Sequence, residues 1–135
     1  MKISVLAVGR LRPPFADDVA HYAKLLRPHA RIELHEVRED EGVARRLPER
    51  AFVSLLAVDG ERPDSEGFSR FLAERRLTGR DLWFVIGGPL GLELDRADHR
   101  LSLGALTLPH QLARVVLLEQ LFRAHKILAG ERYHY

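Results

Sequence analysis

Apolar and polar positions follow two alternating periodicities along the chain. Four segments either alternate apolar with polar residues or stay apolar throughout, which is typical of β-strands: residues 2–8, 31–37, 51–58 and 81–86. Three others have the spacing or the start and stop signals of α-helices: residues 17–26, 64–78 and 109–129. Because strands alternate with helices, the sequence predicts one α/β domain over residues 1–135, with a mostly parallel sheet covered by helices on both faces.

The remaining segments carry weaker patterns. Residues 38–50 are charged and leave room for one short helix at most, while residues 93–98 suggest a short helix and residues 101–103 a brief strand. In the last predicted helix, apolar side chains such as Leu112 and Val116 are spread over more than one face. Such a helix is too apolar for the surface of a monomer, so we expect its second face to contact another copy of the chain.

Composition narrows the class of protein. Hydrophobic residues make up 46% of the chain, and no apolar run approaches the roughly 20 residues of a membrane-spanning helix. The apolar residues 3–8 lack a small-residue cleavage site and are predicted to form a strand rather than a signal peptide. There are no cysteines, and the histidines show no metal-ligand spacing. We therefore expect a cytoplasmic protein without disulfides, membrane contact or a bound metal. The formal net charge of +2 is only a weak indication of nucleic acid binding.

A glycine-rich turn follows the fourth predicted strand. Gly87, Gly88 and Gly91 surround Pro89 and Leu90, at the carboxyl end of a buried strand, where open α/β sheets bind ligands. The spacing is neither that of a dinucleotide fingerprint nor that of a phosphate loop. On its own it is compatible with an ordinary tight turn.

A second segment, residues 103–108, has few side chains that can do chemistry apart from Thr107. Its backbone N–H and C=O groups can bind the edge of an adenine, while Leu106 and Leu108 can pack against the ring. A loop that fills the core explains the spacing equally well. Together with the glycine turn, it favours a pocket for a ligand with an adenosine-like body.

The motifs along the chain, taken together, resemble those of the RlmH family, which are SPOUT-class methyltransferases of large-subunit ribosomal RNA. The similarity covers nearly the whole sequence, and its specific part is the C-terminal half. It is carried by the Gly-Gly-x-x-Gly-Leu turn, Leu-Thr-Leu-Pro-His at 106–110, Arg-Val-Val-Leu-Leu-Glu-Gln-Leu-Phe-Arg-Ala at 114–124, Gly-Glu-x-Tyr-His at 130–134 and Val-Asp-Gly at 58–60.

The resemblance implies a C-terminal deep trefoil knot in which residues 103–108 are threaded through a loop, an exception to the usual absence of knots. It also implies S-adenosyl-L-methionine as methyl donor, a homodimer through the C-terminal helix, and methylation of N3 of a pseudouridine in helix 69 of 23S rRNA. By position, the cofactor contacts fall on Val58, Gly87, Leu103, Gly104, Ala105, Leu106, Thr107 and Leu108.

The resemblance also directs attention to the C-terminal residues as catalytic candidates. His134 suits proton transfer because the unperturbed pKa of an imidazole is near neutrality. Tyr133 can stack on or orient the target base, and Arg123 can stabilise the uracil anion or bind phosphate. A frayed chain end and a pair between Arg123 and Glu119, four residues earlier on the helix, are the alternatives.

Other basic groups and rival functions stay open at this point. Arg114 is a candidate for phosphate, His110 for an orienting or capping role, and Arg10 and Arg12 for the RNA backbone or a solvated loop. Tyr135 stands where relatives commonly carry a basic residue, which leaves open a catalytically impaired module of the same fold. The other rivals are a SPOUT enzyme with another RNA target and a flavodoxin-like nucleotide binder.

Overall fold

The computed structural model describes residues 1–133, which form five strands and four helices. The strands are β1 (Lys2–Val8), β2 (Arg31–Val37), β3 (Phe52–Glu61), β4 (Leu82–Ile86) and β5 (His99–Leu101). The helices are α1 (Phe15–Leu26), α2 (Glu41–Arg46), α3 (Ser65–Thr78) and α4 (His110–Leu128).

All five strands pair in parallel in the order β2-β1-β4-β3-β5. The central strand β4 is buried along its whole length, in keeping with its continuous apolar sequence. Since parallel strands end on the same side, the residues after β1, β3 and β4 meet at one edge of the sheet. The predicted parallel α/β sheet is confirmed.

Helices α1, α3 and α4 cover one face of the sheet, with α4 packed against both of the others. In the described part of the chain, the other face is covered by α2, by Leu47 and by the irregular residues 92–97, whose apolar side chains pack on β1, β3 and β4. Helices thus lie on both faces as expected, although the second layer is thin because residues 38–50 hold only the six-residue α2.

Strand β3 is interrupted where it runs beside β5. Leu56 and Glu61 both pair with Leu101, so the four residues between them bulge out of the ladder. A Cβ atom on Gly60 would lie 2.6 Å from the backbone carbon of Arg100, so only glycine allows this approach. The continuous apolar run of residues 51–58 predicts a strand buried on both faces. The bulge instead turns Val58 outward, and this residue is half exposed.

Two weaker predictions are wrong. Residues 93–98 form no helix, because Arg96 donates to the carbonyls of Pro48, Glu49 and Ala51, and the Asp98 carboxylate accepts the Val53 N–H at 2.8 Å. These long-range bonds fix an irregular segment with a turn at residues 95–96, where the Ala97 N–H donates to the carbonyl of Leu94 at 3.1 Å. The last strand covers residues 99–101 rather than 101–103, which leaves Leu103 outside the sheet.

Candidate active site

A cavity of about 840 Å³ opens at the carboxyl edge of the sheet. Its walls are the bulge of β3, the glycine turn after β4, the segment that follows β5 and the first turn of α4. The volume is in the range of about 300–1,000 Å³ that small-molecule and cofactor sites occupy. Seven of the eight predicted cofactor residues line it: Val58, Gly87, Leu103, Gly104, Leu106, Thr107 and Leu108. Ala105 is exposed but is not part of the lining.

The glycine turn is held in a shape that larger residues cannot adopt. A Cβ atom on Gly87 would lie 2.8 Å from the Cβ of Leu92 and 2.9 Å from its backbone nitrogen. Gly91 has φ +78° and donates its N–H to the carbonyl of Gly88 at 3.0 Å. The turn therefore folds back on itself and leaves a wall of backbone facing the cavity.

The opposite wall is the irregular segment after β5. The Ser102 hydroxyl donates to the Gly104 carbonyl at 2.8 Å and accepts the Gly104 N–H at 3.2 Å, and Gly104 has φ +141°. From Leu106 to Leu108 the backbone forms no hydrogen bond with any residue that the structure describes. These N–H and C=O groups are available to a ligand, which is the arrangement that an adenine edge requires.

Charged side chains surround the cavity on the β3 side. Arg100 donates to Asp59 at 2.7 Å and lies 3.7 Å from Glu93. The hydrogen bond from Arg100 lowers the pKa of the Asp59 carboxyl and raises that of the guanidinium. Asp59 therefore stays ionised at neutral pH.

On the α4 side the cavity is lined by His110, half-buried at the start of the helix. Burial lowers the pKa of His110, and the positive charges of Arg114 and Arg12 lower it further. The imidazole is therefore neutral at pH 7, as expected of an orienting group at a helix start.

Arg114 lies inside the protein rather than at the mouth of the cavity. It is 5% exposed, donates to Glu36 at 2.7 Å and donates to the carbonyl of Gly9 at 2.7 Å. These contacts use both terminal nitrogens of the guanidinium and tie α4 to the ends of β1 and β2, while the buried Nε has no hydrogen-bond partner among the described residues. The phosphate role considered for it from the sequence is not supported by this position.

Arg123 and Tyr133 form a separate cluster toward the other end of α4. Arg123 donates to Glu119 at 3.0 Å, the pair expected from their spacing, and its guanidinium lies 4.8 Å from the centre of the Tyr133 ring. Tyr133 packs edge-on against Phe122, and its pKa is raised first by burial and then by the nearby Glu119 carboxylate. His134 lies outside the described residues.

Within residues 1–133 of one chain, Arg123 and Tyr133 do not meet the predicted cofactor residues. Arg123 lies about 20 Å from His110 along α4, at a rise of about 1.5 Å per residue, and neither Arg123 nor Tyr133 lines the cavity. One copy of residues 1–133 therefore holds the cavity at one end of the helix and the catalytic candidates at the other.

Sequence reasoning overlooked the ties between the start of α4 and the residues that follow β1. Gln111 is buried and bonds to the backbone of Arg10 and Arg12, and Glu36 accepts from the N–H of Leu11 at 2.8 Å. The available signal was positional, since Gly9 and Glu36 fall at the carboxyl ends of neighbouring parallel strands.

Residues 1–133 hold neither a candidate metal site nor a helix of membrane-spanning character. No group of three or more His, Asp or Glu side chains in this range is placed to bind a metal ion. No helix in this range is long and apolar enough to cross a membrane.

Comparison with known proteins identifies the family. The sequence model described as "Predicted SPOUT methyltransferase" matches residues 1–134. The protein named Ribosomal RNA large subunit methyltransferase H from Rubrobacter xylanophilus is 46% identical over 159 aligned positions, covering 99% of this chain and 98% of that protein. The protein of the same name from Acidiphilium cryptum is 45% identical, and the match covers 98% of this chain and 93% of that protein. The one from Carboxydothermus hydrogenoformans is 38% identical, and the match covers 99% of both chains. The resemblance predicted from the motifs is confirmed, and the chain belongs to the SPOUT methyltransferase family.

Proposed function

We propose that this protein transfers a methyl group from S-adenosyl-L-methionine to N3 of a pseudouridine in helix 69 of 23S rRNA. The observation that carries the proposal is the backbone-walled cavity, found in a SPOUT family member whose relatives are named Ribosomal RNA large subunit methyltransferase H. Since its substrate is ribosomal, we place the protein in the cytoplasm.

The cavity fits the methyl donor. The unpaired backbone groups of residues 106–108 suit the adenine edge, and the glycine turn allows close approach on the opposite wall. Val58, Leu103 and Leu106 supply apolar surface, and Gly104 and Thr107 complete the lining. Ala105 contributes only its place in the loop. When bound, S-adenosyl-L-methionine supplies a methyl group already activated on a sulfonium, so the transfer requires no metal.

The acceptor sets the remaining chemistry. The bond from N3 to the methyl carbon forms as the bond from that carbon to sulfur breaks, and the N3 proton must leave to a base. We propose that His134 accepts this proton and that Tyr133 orients the target nucleobase. Arg123 stabilises the negative charge that develops on the uracil ring. The raised pKa keeps Tyr133 a neutral hydrogen-bond donor, and the Glu119 pair holds the Arg123 guanidinium beside the Tyr133 ring.

A homodimer through α4 resolves the separation between cavity and catalytic cluster. The outward side of α4 keeps Leu112, Val116 and Leu128 partly accessible, although α1 and α3 already cover its flanks. We infer that a second copy packs on this side and brings its Arg123 cluster to the cavity. The trefoil knot, with residues 103–108 threaded, follows from the family and belongs to the same proposal.

The experiment that tests this function is mass spectrometry of rRNA nucleosides from a strain that lacks the protein. Loss of N3-methylpseudouridine, restored by the wild-type gene, is the expected result. Retention of the modification would overturn the proposal. Calorimetry with S-adenosyl-L-methionine tests the cofactor separately, and absence of saturable binding to the folded protein would exclude that cofactor.

A further inference from the structure

We propose that residues 9–12, between β1 and α1, form a preorganised binding site for a phosphodiester of the RNA substrate, with Arg10 and Arg12 as the binding side chains and Gln111 as a positioning residue. The inference rests on the proposed function, since it states how the same site holds its RNA.

The backbone of this exposed loop is fixed by an unusual number of hydrogen bonds. Six of its backbone groups form hydrogen bonds. The N–H groups of Gly9, Leu11 and Arg12 donate to Val37, Glu36 and Gln111, respectively. The carbonyls of Gly9, Arg10 and Arg12 accept from Arg114, Gln111 and Phe15, respectively. The distances lie between 2.7 and 3.0 Å. A surface loop rarely needs buried partners, because water can satisfy its backbone.

Two of the three side chains that hold the loop, Gln111 and Arg114, are buried, and the third, Glu36, is exposed. Gln111 is 6% exposed and uses both ends of its amide, with the nitrogen donating to Arg10 and the oxygen accepting from Arg12. Arg114, also buried, holds Gly9 and pairs with Glu36. Burying a guanidinium and an amide to fix a short loop is unfavourable unless the shape of the loop is used.

The side chains that the loop presents are both arginines. Arg10 and Arg12 are exposed, and neither forms an ion pair with a carboxylate among residues 1–133. Most of the other arginines, including the exposed Arg50, also lack an ion pair within residues 1–133, so what distinguishes Arg10 and Arg12 is the fixed backbone that carries them. Two unpaired guanidinium groups on a rigid backbone form a ready site for an anion.

The loop lies next to His110, a residue that lines the cavity. A Cβ atom added to Gly9 would lie 3.9 Å from the imidazole Nε2 of His110. The charge of Arg12 also reaches the imidazole, since it lowers the pKa of His110. A base delivered to the cavity therefore brings its flanking phosphodiesters within reach of this loop, which points to RNA rather than a free anion.

The test compares Arg10→Ala/Arg12→Ala with the wild type in methylation of large ribosomal subunits purified from cells that lack the modification. Each guanidinium is expected to contribute roughly tenfold in KM, so the double variant should raise KM by about 100-fold with little change in kcat. The plot of log(kcat/KM) against log[salt] should become flatter by about 0.7–0.9 for each arginine that is replaced. Arg50→Ala is the matched control, because Arg50 is exposed before β3, at the opposite edge of the sheet, and should keep the wild-type KM.

Gln111→Leu tests the positioning role without removing a charge. It should raise KM several-fold in the wild-type background, speed hydrogen exchange at the Arg12 amide, and have no effect on KM in the Arg10→Ala/Arg12→Ala background. A penalty that persists in that background would show that Gln111 does not act through the arginines, which overturns its role.

Two other results overturn the loop as an RNA site. One is unchanged KM and salt dependence in the double arginine variant. The other is weaker binding of S-adenosyl-L-methionine with an unchanged KM for subunits, which would assign the arginines to the carboxylate of the cofactor. If the wild-type protein fails to methylate the subunits at all, the proposed function fails first, so the two failures are distinguishable.

Discussion

We expect alanine to be destabilising at Gly87 and tolerated at Gly88, although both glycines line the same cavity. In Gly87→Ala the new methyl group would lie 2.8 Å from the Cβ of Leu92, 2.9 Å from its backbone nitrogen and 3.0 Å from the carbonyl carbon of Gly91. Two of these atoms belong to the backbone, so the turn must open to accept the methyl group. In Gly88→Ala the nearest atom is the Cγ1 of Val8 at 3.7 Å, an ordinary van der Waals contact.

The magnitude follows from these distances. Overpacking of a well-packed site costs about 1–3 kcal/mol, and Leu92 transmits the shift because it packs against the second face of the sheet. Gly87→Ala should therefore lower the free energy of unfolding by about 2 kcal/mol, and Gly88→Ala by less than about 0.5 kcal/mol. Because the opened turn moves into the cavity, Gly87→Ala should also weaken S-adenosyl-L-methionine binding by about tenfold or more.

Urea denaturation and calorimetry measure the two effects. The slope of the urea transition should stay unchanged, so that the shift of its midpoint reports stability alone. Equal stability and equal cofactor affinity of Gly87→Ala and Gly88→Ala would contradict this reasoning. Such a result would show that neither the fold nor the cofactor pocket depends on the close contact between Gly87 and Leu92.

Three further substitutions test other parts of the structure. Gly60→Ala places a methyl group 2.6 Å from the backbone of Arg100 and should cost about 2–3 kcal/mol in urea denaturation; wild-type stability would argue against the β3 bulge. Arg123→Ala should reduce kcat by about 100-fold or more and leave calorimetric cofactor affinity unchanged, and full activity would remove Arg123 from the mechanism. Burial lowers the pKa of His125, whose ring N–H donates to the carbonyl of Leu121. The stability that depends on the neutral imidazole is therefore fully present above about pH 6.5, and it is lost as the pH falls toward the lowered pKa. His125→Leu should therefore lose less stability than the wild type between pH 7 and pH 5 in thermal denaturation, and an equal loss in both proteins would refute this.

The regular elements could be predicted from the sequence because their signals are local. The strict alternation of β2 predicted its bounds, residues 31–37, and the apolar run at residues 81–86 predicted the buried strand β4. Pro109, just before the first residue of α4, marked the start of that helix. Parallel pairing followed from the alternation of strands and helices alone.

The irregular parts depend on partners far away in sequence. The bulge that exposes Val58 forms only because Leu56 and Glu61 both pair with Leu101. Residues 93–98 stay irregular rather than helical because Asp98 bonds to Val53. No local pattern records either contact.

The candidate site divides in the same way. Seven of the eight residues expected to contact the cofactor line the cavity, Ala105 does not, and the contact with the cofactor stays a prediction. The role of Arg114 could not be anticipated, because the Gly9 carbonyl that it holds lies 105 residues away along the chain. From the helix alone, its charge was as compatible with phosphate binding as with this buried contact.

The central claim is that the backbone-walled cavity holds the methyl donor for modification of one ribosomal base. Its most direct test is to incubate the purified protein with methyl-labelled S-adenosyl-L-methionine and large ribosomal subunits that lack the modification, and to locate the label by mass spectrometry. The account predicts one labelled methyl group per subunit, on N3 of a pseudouridine in helix 69. Label at another nucleotide, or no label from a protein that is folded and binds the cofactor, would contradict it.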